Sequence, residues 1–453
     1  SIDLASIDFS NCSVSDCCLS FQHAILGASR KLGLSRLLDG SEPKRKNKPW
    51  FSPECFKLKA MVSVSLRKFR KSNGDSALRT NYLALKKQYT SLKNRLKMEH
   101  YSFIKGELSR VSSPDSFWRI IRNLSASSPP IGAQNALDVS SVHEYFSCLF
   151  NAYNEHPTPK QAFTGISITE LDEPISLLDL NRAINKSKSS KAPGPDSIPN
   201  EFYKGLNLNN RLILLDVFNK IFEEESLPNS WSELQMFLIH KKGDHACPEN
   251  YRGISLLNSI TKIFTTILSE RLSYWSETNS ILPESQSGFR RFRGCTDNIF
   301  TLSAIIKNQT RNSRSNLYTC FVDFKKAFDL INLNLLWSKL HRLGLSSKFL
   351  RILIDLYSQA SLVVKVNHNF TDKIRITNSV LQGEILSPLL FSLYISGFGD
   401  WLLSGGVEGI NIDNTHTISH IFFADDLVLF GYNPASLQRA IDRLIAFCQD
   451  NYL

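Results

Sequence analysis

The sequence predicts an α+β protein in which a basic, mostly helical N-terminal region precedes a domain of mixed strands and helices. Positive charge is concentrated in one early segment, and apolar residues recur there at helical spacing. Further along, short β-prone apolar runs alternate with helical patterns. Because the composition changes near residue 169, we expect an N-terminal extension and linker over residues 1–168 and a second domain over 169–453.

The overall composition is that of a globular protein, since 42% of the residues are hydrophobic and 21% are charged. No apolar run approaches the ~20 residues that would cross a bilayer, so no membrane partner is expected. The N-terminal sequence has no apolar signal core. The nine cysteines are scattered without a CxxC pair, which indicates reduced thiols in an intracellular, non-secreted protein.

The surplus of positive charge lies in one segment. The formal net charge is +11, and residues 44–110 hold 18 Lys and Arg against four acids. Apolar residues from Leu78 to Leu96 follow steps of three and four, which predicts a long helix in this segment. Two interpretations stay open: the segment binds a polyanion such as nucleic acid, or it is a solvated helix face.

Acidic residues follow or interrupt apolar strands at two places. Residues 421–430 read IFFADDLVLF, which predicts two strands with Asp425 and Asp426 at or near the turn between them. Adjacent carboxylates repel each other, and a hard divalent cation would relieve that repulsion. The alternative is a surface turn that favours Asp. Asp323 follows a predicted strand over 317–322, and the end of a buried strand is a usual position for a catalytic carboxylate. An Asp that caps the N-terminus of a helix would give the same sequence pattern.

Basic residues are placed near two further strands. Residues 231–244 predict a strand that ends in a basic turn, and residues 250–257 predict the next strand. Lys241, Lys242 and Arg252 would then face one site and suit a triphosphate. A basic hairpin tip is the alternative interpretation.

A third basic group is interleaved with aromatic residues. Residues 286–298 read QSGFRRFRGCTDN and contain Arg290, Arg291 and Arg293 beside phenylalanines. This mixture suits single-stranded nucleic acid or a template backbone.

Taken in order, these blocks resemble the reverse transcriptases of non-LTR (LINE-type) retrotransposons. The blocks that carry the resemblance are KAPGPDSIP (191–199), LIHKKGD followed by NYRGISLL (238–257), QSGFRRFRGCTD (286–297), FVDFKKAFD (321–329), VLQGEILSPLLFSLY (380–394) and FADD (423–426). The resemblance implies a right-hand polymerase fold, with fingers over 169–310 and a palm over 311–453. The palm would be an antiparallel sheet backed by helices.

The resemblance implies a catalytic site with two metal ions. Asp323, Asp425 and Asp426 would be the catalytic carboxylates, and the backbone carbonyl of Phe324 would complete the metal shell. The ions would be two Mg²⁺, with Mn²⁺ as the alternative ion. The reaction implied is in-line transfer of a nucleotide from a dNTP to a primer 3′-hydroxyl.

The resemblance also implies a nucleotide site. The residues assigned to it are Lys241, Lys242, Arg252, Phe324, Phe328, Gln382 and Gly383. Phe328 would exclude a ribose 2′-hydroxyl, and Gly383 would let a ligand approach the backbone. One departure is Ser379, where many relatives have glycine.

The partners implied are an RNA template, a DNA primer or target, and dNTPs, with the nucleus and cytoplasm as the expected locations. We expect the sequence to be a fragment without the thumb, and with an endonuclease domain upstream in the full-length polypeptide. The alternative function is a catalytically inactive nucleic-acid-binding remnant of such an element. A DNA-templated polymerase is a third interpretation.

Overall fold

The structure is a computed structural model that describes residues 13–31, 50–72, 75–109, 137–152, 158–310, 316–367, 369–381, 383–412 and 416–453. The predicted site residue Gln382 lies outside the described residues. The chain divides into two compact units, one formed by residues 1–35 and 134–453 and the other by residues 36–133.

In the described part of the unit of residues 36–133, two helices, Pro53–Lys71 and Ser76–Ser109, pack against each other. Pro at the first helical position and the Ser52 side chain, which accepts from the Cys55 N–H, begin the first helix. The second helix has 34 residues and confirms the helix predicted from the spacing of Leu78 to Leu96. Most basic side chains of both helices are exposed.

The larger unit is rich in helices, and the apolar faces of most of them meet in one core. Its described α-helices are Val14–Lys31, Val139–Phe150, Thr169–Asp172, Leu177–Lys186, Asn200–Lys204, Leu208–Glu224, Ser259–Thr278, Cys295–Thr310, Leu333–Arg342, Ser347–Ser358, Ser387–Tyr394, Phe398–Ser404 and Pro434–Asp450. Short 3₁₀ turns occupy Lys160–Ala162, Asn229–Trp231 and Pro248–Asn250. The last helix begins at a capping box in which Asn433 and Ser436 bond reciprocally.

The strands in the described part of the chain form three sheets. They are β1 (Glu233–His240), β2 (Tyr251–Leu256), β3 (Tyr318–Asp323), β4 (Ser361–Val366), β5 (Asn369–Phe370), β6 (Ile374–Arg375), β7 (Ile410–Asn411), β8 (Thr417–Ile418), β9 (His420–Phe423) and β10 (Asp426–Gly431). One sheet has the order β2-β1-β4-β5 with β6 also paired to β4, a second has the order β3-β10-β9, and β7 pairs with β8.

The first sheet joins distant parts of the chain. β1 and β2 are antiparallel neighbours, as the sequence predicts, whereas β4 pairs with β1 in parallel. The sheet therefore contains strands from both sides of residue 310, the expected boundary between fingers and palm. That boundary and the other expected domain limits stay predictions.

The second sheet is the one that positions the candidate site. β9 and β10 form the predicted hairpin, and β3 lies antiparallel on the other side of β10. Helix Cys295–Thr310 covers part of one face, where Ile305 packs with Ile421 and Phe430. No helix in the described ranges is long and apolar enough to span a membrane.

Candidate active site

Three carboxylates meet at one end of the sheet β3-β10-β9. Asp323 is the last residue of β3, Asp426 is the first residue of β10, and the two are directly opposite each other in the antiparallel register. Directly opposed residues point to the same face of a sheet. Asp425 precedes Asp426 in the hairpin turn. We call these three residues the acidic sheet end; the strand register sets Asp323 opposite Asp426, and their assignment as catalytic carboxylates stays a prediction.

Burial and neighbouring like charges both act on the acidic sheet end. Burial raises the pKa of Asp425, and the charges of Asp426 and Asp323 raise it further. Arg252 opposes these effects and lowers the pKa. Asp323 and Asp426 are exposed, whereas Asp425 is half-buried. The site therefore combines concentrated negative charge with access from solvent, and Arg252 is close enough to act on it.

A cavity of about 350 Å³ lies beside these acids. It is lined by one face of the three-stranded sheet and by helix Cys295–Thr310, and Asp323 and Asp426 are part of its wall. Most of its other lining is apolar, including Phe321, whose exposed fraction is 70%. The acids therefore border a recess in the surface.

The chemistry of the acidic sheet end suits a hard divalent cation, because such ions prefer carboxylate oxygens. Burial and, to a smaller extent, the neighbouring carboxylates raise the pKa of Asp425 and so disfavour its charged form, which a bound cation would favour. Within the described ranges, no three His, Cys, Asp or Glu side chains are grouped closely enough to hold a metal ion together. The donor set therefore fits the expected metal, while a preformed three-carboxylate cage is not present.

The predicted phosphate-binding residues lie around the β1–β2 connection. Lys241 and Lys242 follow β1 directly, and the Lys241 N–H donates to the Asn250 carbonyl at 2.8 Å. Arg252 is exposed on β2, opposite Ile239. Among these three, the structure connects Arg252 electrostatically to the acidic sheet end.

Three other predicted nucleotide-site residues are described: Phe324 and Phe328 follow β3, and Gly383 precedes helix Ser387–Tyr394. Phe328 stacks on Phe391 with ring centroids 4.8 Å apart, and Phe324 stacks on Phe422 at 6.5 Å. Gly383 has φ +99°, and a Cβ there would meet the Ser255 carbonyl oxygen at 2.7 Å. The loop at Gly383 is thereby held against β2, the strand that carries Arg252.

The three arginines of residues 286–298 have different surroundings. The Arg290 side chain is only 6% exposed and forms an ion pair with Glu277 at 2.6 Å. This hydrogen-bonded pairing raises the pKa of Arg290 and lowers that of Glu277. Arg293 pairs with Glu284 at 2.6 Å, and Arg291 is exposed. Arg290 thus has a structural contact that its basic and aromatic neighbourhood does not indicate.

The hairpin turn contains a contact that the sequence-based site assignment missed. Ala424 lies in the left-handed region with φ +58°, and the buried Gln286 side chain bonds to both its N–H and its carbonyl. A Cβ on Gly288 would lie 2.1 Å from the Ala424 nitrogen. The sequence signal for this contact is the amide of Gln286 two residues before Gly288, because a buried amide needs hydrogen-bond partners and a glycine allows backbone to approach closely.

Comparisons with known proteins connect this site to a family. Residues 239–453 match the sequence profile of a family described as reverse transcriptase (RNA-dependent DNA polymerase). A probable RNA-directed DNA polymerase from transposon BS of Drosophila melanogaster is 28% identical over 223 residues, which cover 49% of this chain and 24% of the relative.

Two further relatives have similar names. The Pol polyprotein of the type-1 retrotransposable element R2 of Popillia japonica is 27% identical over 278 residues, which cover 60% of this chain and 37% of the relative. The RNA-directed DNA polymerase from the mobile element jockey of Drosophila funebris is 23% identical over 344 residues, with 71% of this chain and 37% of the relative covered. The chain thus spans less than two fifths of the length of each of these three relatives.

Proposed function

Because residues 239–453 belong to the reverse transcriptase (RNA-dependent DNA polymerase) family, we propose that the chain is part of an RNA-directed DNA polymerase of a non-LTR retrotransposon. Its reaction is transfer of a nucleotide from a dNTP to a primer 3′-hydroxyl on an RNA template. The observation that carries the proposal is the register that sets Asp323 opposite Asp426, with Asp425 in the adjoining turn.

In this proposal the acidic sheet end holds the divalent ions. The carboxylates of Asp323, Asp425 and Asp426 and the backbone carbonyl of Phe324 are the ligands, and the ions are two Mg²⁺ or, alternatively, Mn²⁺. Bound ions would make the 3′-hydroxyl a stronger nucleophile and neutralise charge on the phosphates. The carboxylates fix where that positive charge lies, which supports catalysis by electrostatic preorganisation.

The nucleotide binds between β2 and the turn that follows β3. Lys241, Lys242 and Arg252 contact the triphosphate, since cationic side chains form charge-assisted hydrogen bonds with phosphate oxygens. The electrostatic effect of Arg252 on Asp425 supports this placement. Gln382 and Gly383 are also part of the nucleotide site and lie beside the bound nucleotide.

Phe328 lies under the sugar and selects deoxyribose. Its ring is backed by Phe391 at 4.8 Å, and its carbonyl accepts from the Val380 N–H at 3.0 Å. A ring that is packed in this way yields little to an added 2′-hydroxyl. The stacking supports steric discrimination against ribonucleotides.

In this proposal residues 169–310 of the larger unit are the fingers and residues 311–453 are the palm of a right-hand polymerase. They are preceded by an N-terminal extension over residues 1–168, of which residues 1–35 and 134–168 are also part of the larger unit. The antiparallel order β3-β10-β9 supports the palm assignment. The parallel pairing of β4 with β1 links the two parts, so fingers and palm would share one sheet.

Nucleic acid contacts come from two basic regions. The basic residues of 44–110 bind the phosphate backbone of the RNA or of the DNA target. Arg291 and Arg293 bind the template. Arg290, which is paired with Glu277, stabilises the segment that carries them. In the full-length protein an endonuclease domain acts on the same DNA target, and the protein works in the nucleus and the cytoplasm.

The experiment is primer extension on an RNA template by the full-length protein that contains this chain. Asp425→Ala is expected to lower the rate about a thousandfold or more, because it removes a carboxylate that would bind the divalent ions at the reacting centre. Asp216→Ala, at an exposed position on helix Leu208–Glu224, is the matched control and keeps the wild-type rate. Incorporation that survives Asp425→Ala contradicts the assignment. Salt-dependent RNA binding without any incorporation by the wild type favours the inactive nucleic-acid-binding remnant instead.

A further inference from the structure

A short segment, Ser285–Gly288, extends the edge of the three-stranded sheet. The Phe422 N–H donates to the Ser285 carbonyl at 2.7 Å, and the Ser287 N–H donates to the Phe422 carbonyl at 3.1 Å. Gln286 is thereby placed beside Phe422 in a parallel bridge. The segment therefore follows β9 up to the turn that carries the acidic pair.

Within this segment, the Gln286 side chain forms hydrogen bonds with the backbone of the turn. Its Oε1 accepts from the Ala424 N–H at 3.0 Å and from the Gly288 N–H at 2.8 Å. Its Nε2 donates to the Ala424 carbonyl at 3.1 Å. The residue is 1% exposed, so water does not compete for these bonds.

The contact matters because Ala424 has an unfavourable backbone conformation. Its φ of +58° is one that L-residues other than Asn and Asp rarely adopt. Both peptide groups that flank Ala424 are tied to one buried amide, so the turn has little freedom to relax. The direction of the next residue, Asp425, follows from that conformation.

We propose that Gln286 is a positioning residue for the acidic sheet end: it holds the Ala424 turn so that Asp425 and Asp426 are presented together to a divalent cation. The inference rests on the proposed function, since it assigns the held turn to metal binding. Groups that orient metal ligands without touching the ion commonly change metal affinity by 10–100-fold when they are removed.

A second amide in the same unit offers a matched control. The Asn219 Oδ1 accepts from the Ile175 N–H at 2.6 Å, and its Nδ2 donates to the Ile175 carbonyl at 3.1 Å. It makes the same pair of bonds to one residue as Gln286 makes to Ala424, but at a place without proposed catalytic residues. Removing the Asn219 amide leaves two backbone groups without their partner, and removing the Gln286 amide leaves these two and the Gly288 N–H.

The experiment measures Mn²⁺ binding by the loss of the free-ion electron paramagnetic resonance signal, without nucleotide, together with thermal unfolding. In the full-length protein, Gln286→Met is expected to weaken Mn²⁺ binding about tenfold or more. Asn219→Leu lowers the melting temperature comparably and leaves Mn²⁺ binding unchanged. Equal Mn²⁺ binding by Gln286→Met and the wild type overturns the inference.

A double variant separates positioning from stability and serves if Gln286→Met does not fold. Ala424→Gly removes the penalty of the left-handed conformation, so adding it to Gln286→Met recovers melting temperature. Glycine is also free to leave that conformation, so Mn²⁺ binding is expected to stay weak. If Mn²⁺ binding returns together with stability, Gln286 has only a structural role. A wild type that binds no Mn²⁺ at all overturns the proposed function and this inference with it.

Discussion

Two groups of charged residues in the larger unit contain carboxyls with a raised pKa, yet the charges around them differ in sign. Asp426 and Asp323 raise the pKa of Asp425, and Arg252 is the cation that lowers it. The second group, which we call the buried ion group, consists of Asp196, Lys262 and Glu384. There the two carboxylates favour the charged form of Lys262 while burial lowers its pKa.

The two groups also differ in exposure. Glu384 is buried; its Oε2 accepts from the Leu386 N–H at 2.7 Å and the Ser387 N–H at 3.1 Å, at the start of helix Ser387–Tyr394, whereas its Oε1 has no hydrogen-bond partner among the described residues. Asp323 and Asp426 are exposed on a sheet face that borders a cavity. The buried ion group includes a cation, Lys262, and we interpret it as structural. The acidic sheet end is an exposed group of like charges, which suits it to binding a cation from solution.

The strongest test of this difference is neutralisation of the acidic sheet end. Asp323→Asn is expected to lower primer extension about a thousandfold while leaving the melting temperature in EDTA unchanged or higher, because one of three like charges is removed. Primer extension and thermal unfolding of the full-length protein measure both effects. Asp442→Asn, at an exposed position of the last helix, is the control that changes neither. A variant that loses stability in EDTA would show that Asp323 is structural.

Neutralisation within the buried ion group is expected to affect stability alone. Burial raises the pKa of Asp196 to about 6, and its Oδ2 has no hydrogen-bond partner. Since the folded state holds this proton more tightly than the unfolded state, stability falls as the pH rises from about 4 to 6. Asp196→Asn removes that loss and stabilises the protein at pH 7 by about 3 kcal/mol. Denaturant unfolding at pH 4 and pH 7 measures the change.

The variant also keeps the acceptor that Asp196 offers to the Ile198 N–H at 3.1 Å, so the loop geometry is preserved. Mn²⁺ binding is expected to stay at the wild-type level. A stability gain that is the same at pH 4 and pH 7 would contradict the titration of Asp196, and a change in Mn²⁺ binding would contradict the separation of the two groups.

The acidic sheet end is the part of the site that local sequence patterns predict well. Apolar runs that end in Asp323 and surround Asp425 and Asp426 predict strands with acids at their ends, and antiparallel pairing then brings the ends together. The helix Ser76–Ser109 follows in the same way from its apolar spacing. These features depend on residues that are near one another in the sequence.

Features that depend on distant partners were not predictable from such patterns. The parallel pairing of β1 with β4 joins segments more than a hundred residues apart and leaves no periodic signal in either strand. Arg290 has the sequence neighbourhood of a nucleic-acid contact, but Glu277, 13 residues earlier, binds its guanidinium. Gln286 bonds to a turn 138 residues later.

The smallest expected effect concerns a buried base beside the Gln286 segment. The His420 ring nitrogens lie 2.9 Å from the Ser285 hydroxyl and 3.0 Å from the Ser419 hydroxyl, and burial lowers the pKa of His420 to about 4. The unfolded state therefore binds this proton first, and stability falls as the pH drops from 6.5 to 4, by about 2 kcal/mol at pH 5. The pH dependence of stability due to His420 has the opposite sign to that due to Asp196, so it becomes measurable in the Asp196→Asn variant. Denaturant unfolding of Asp196→Asn with and without His420→Gln, an uncharged replacement, measures the slope. An acid slope that persists in the double variant would show that other groups cause it.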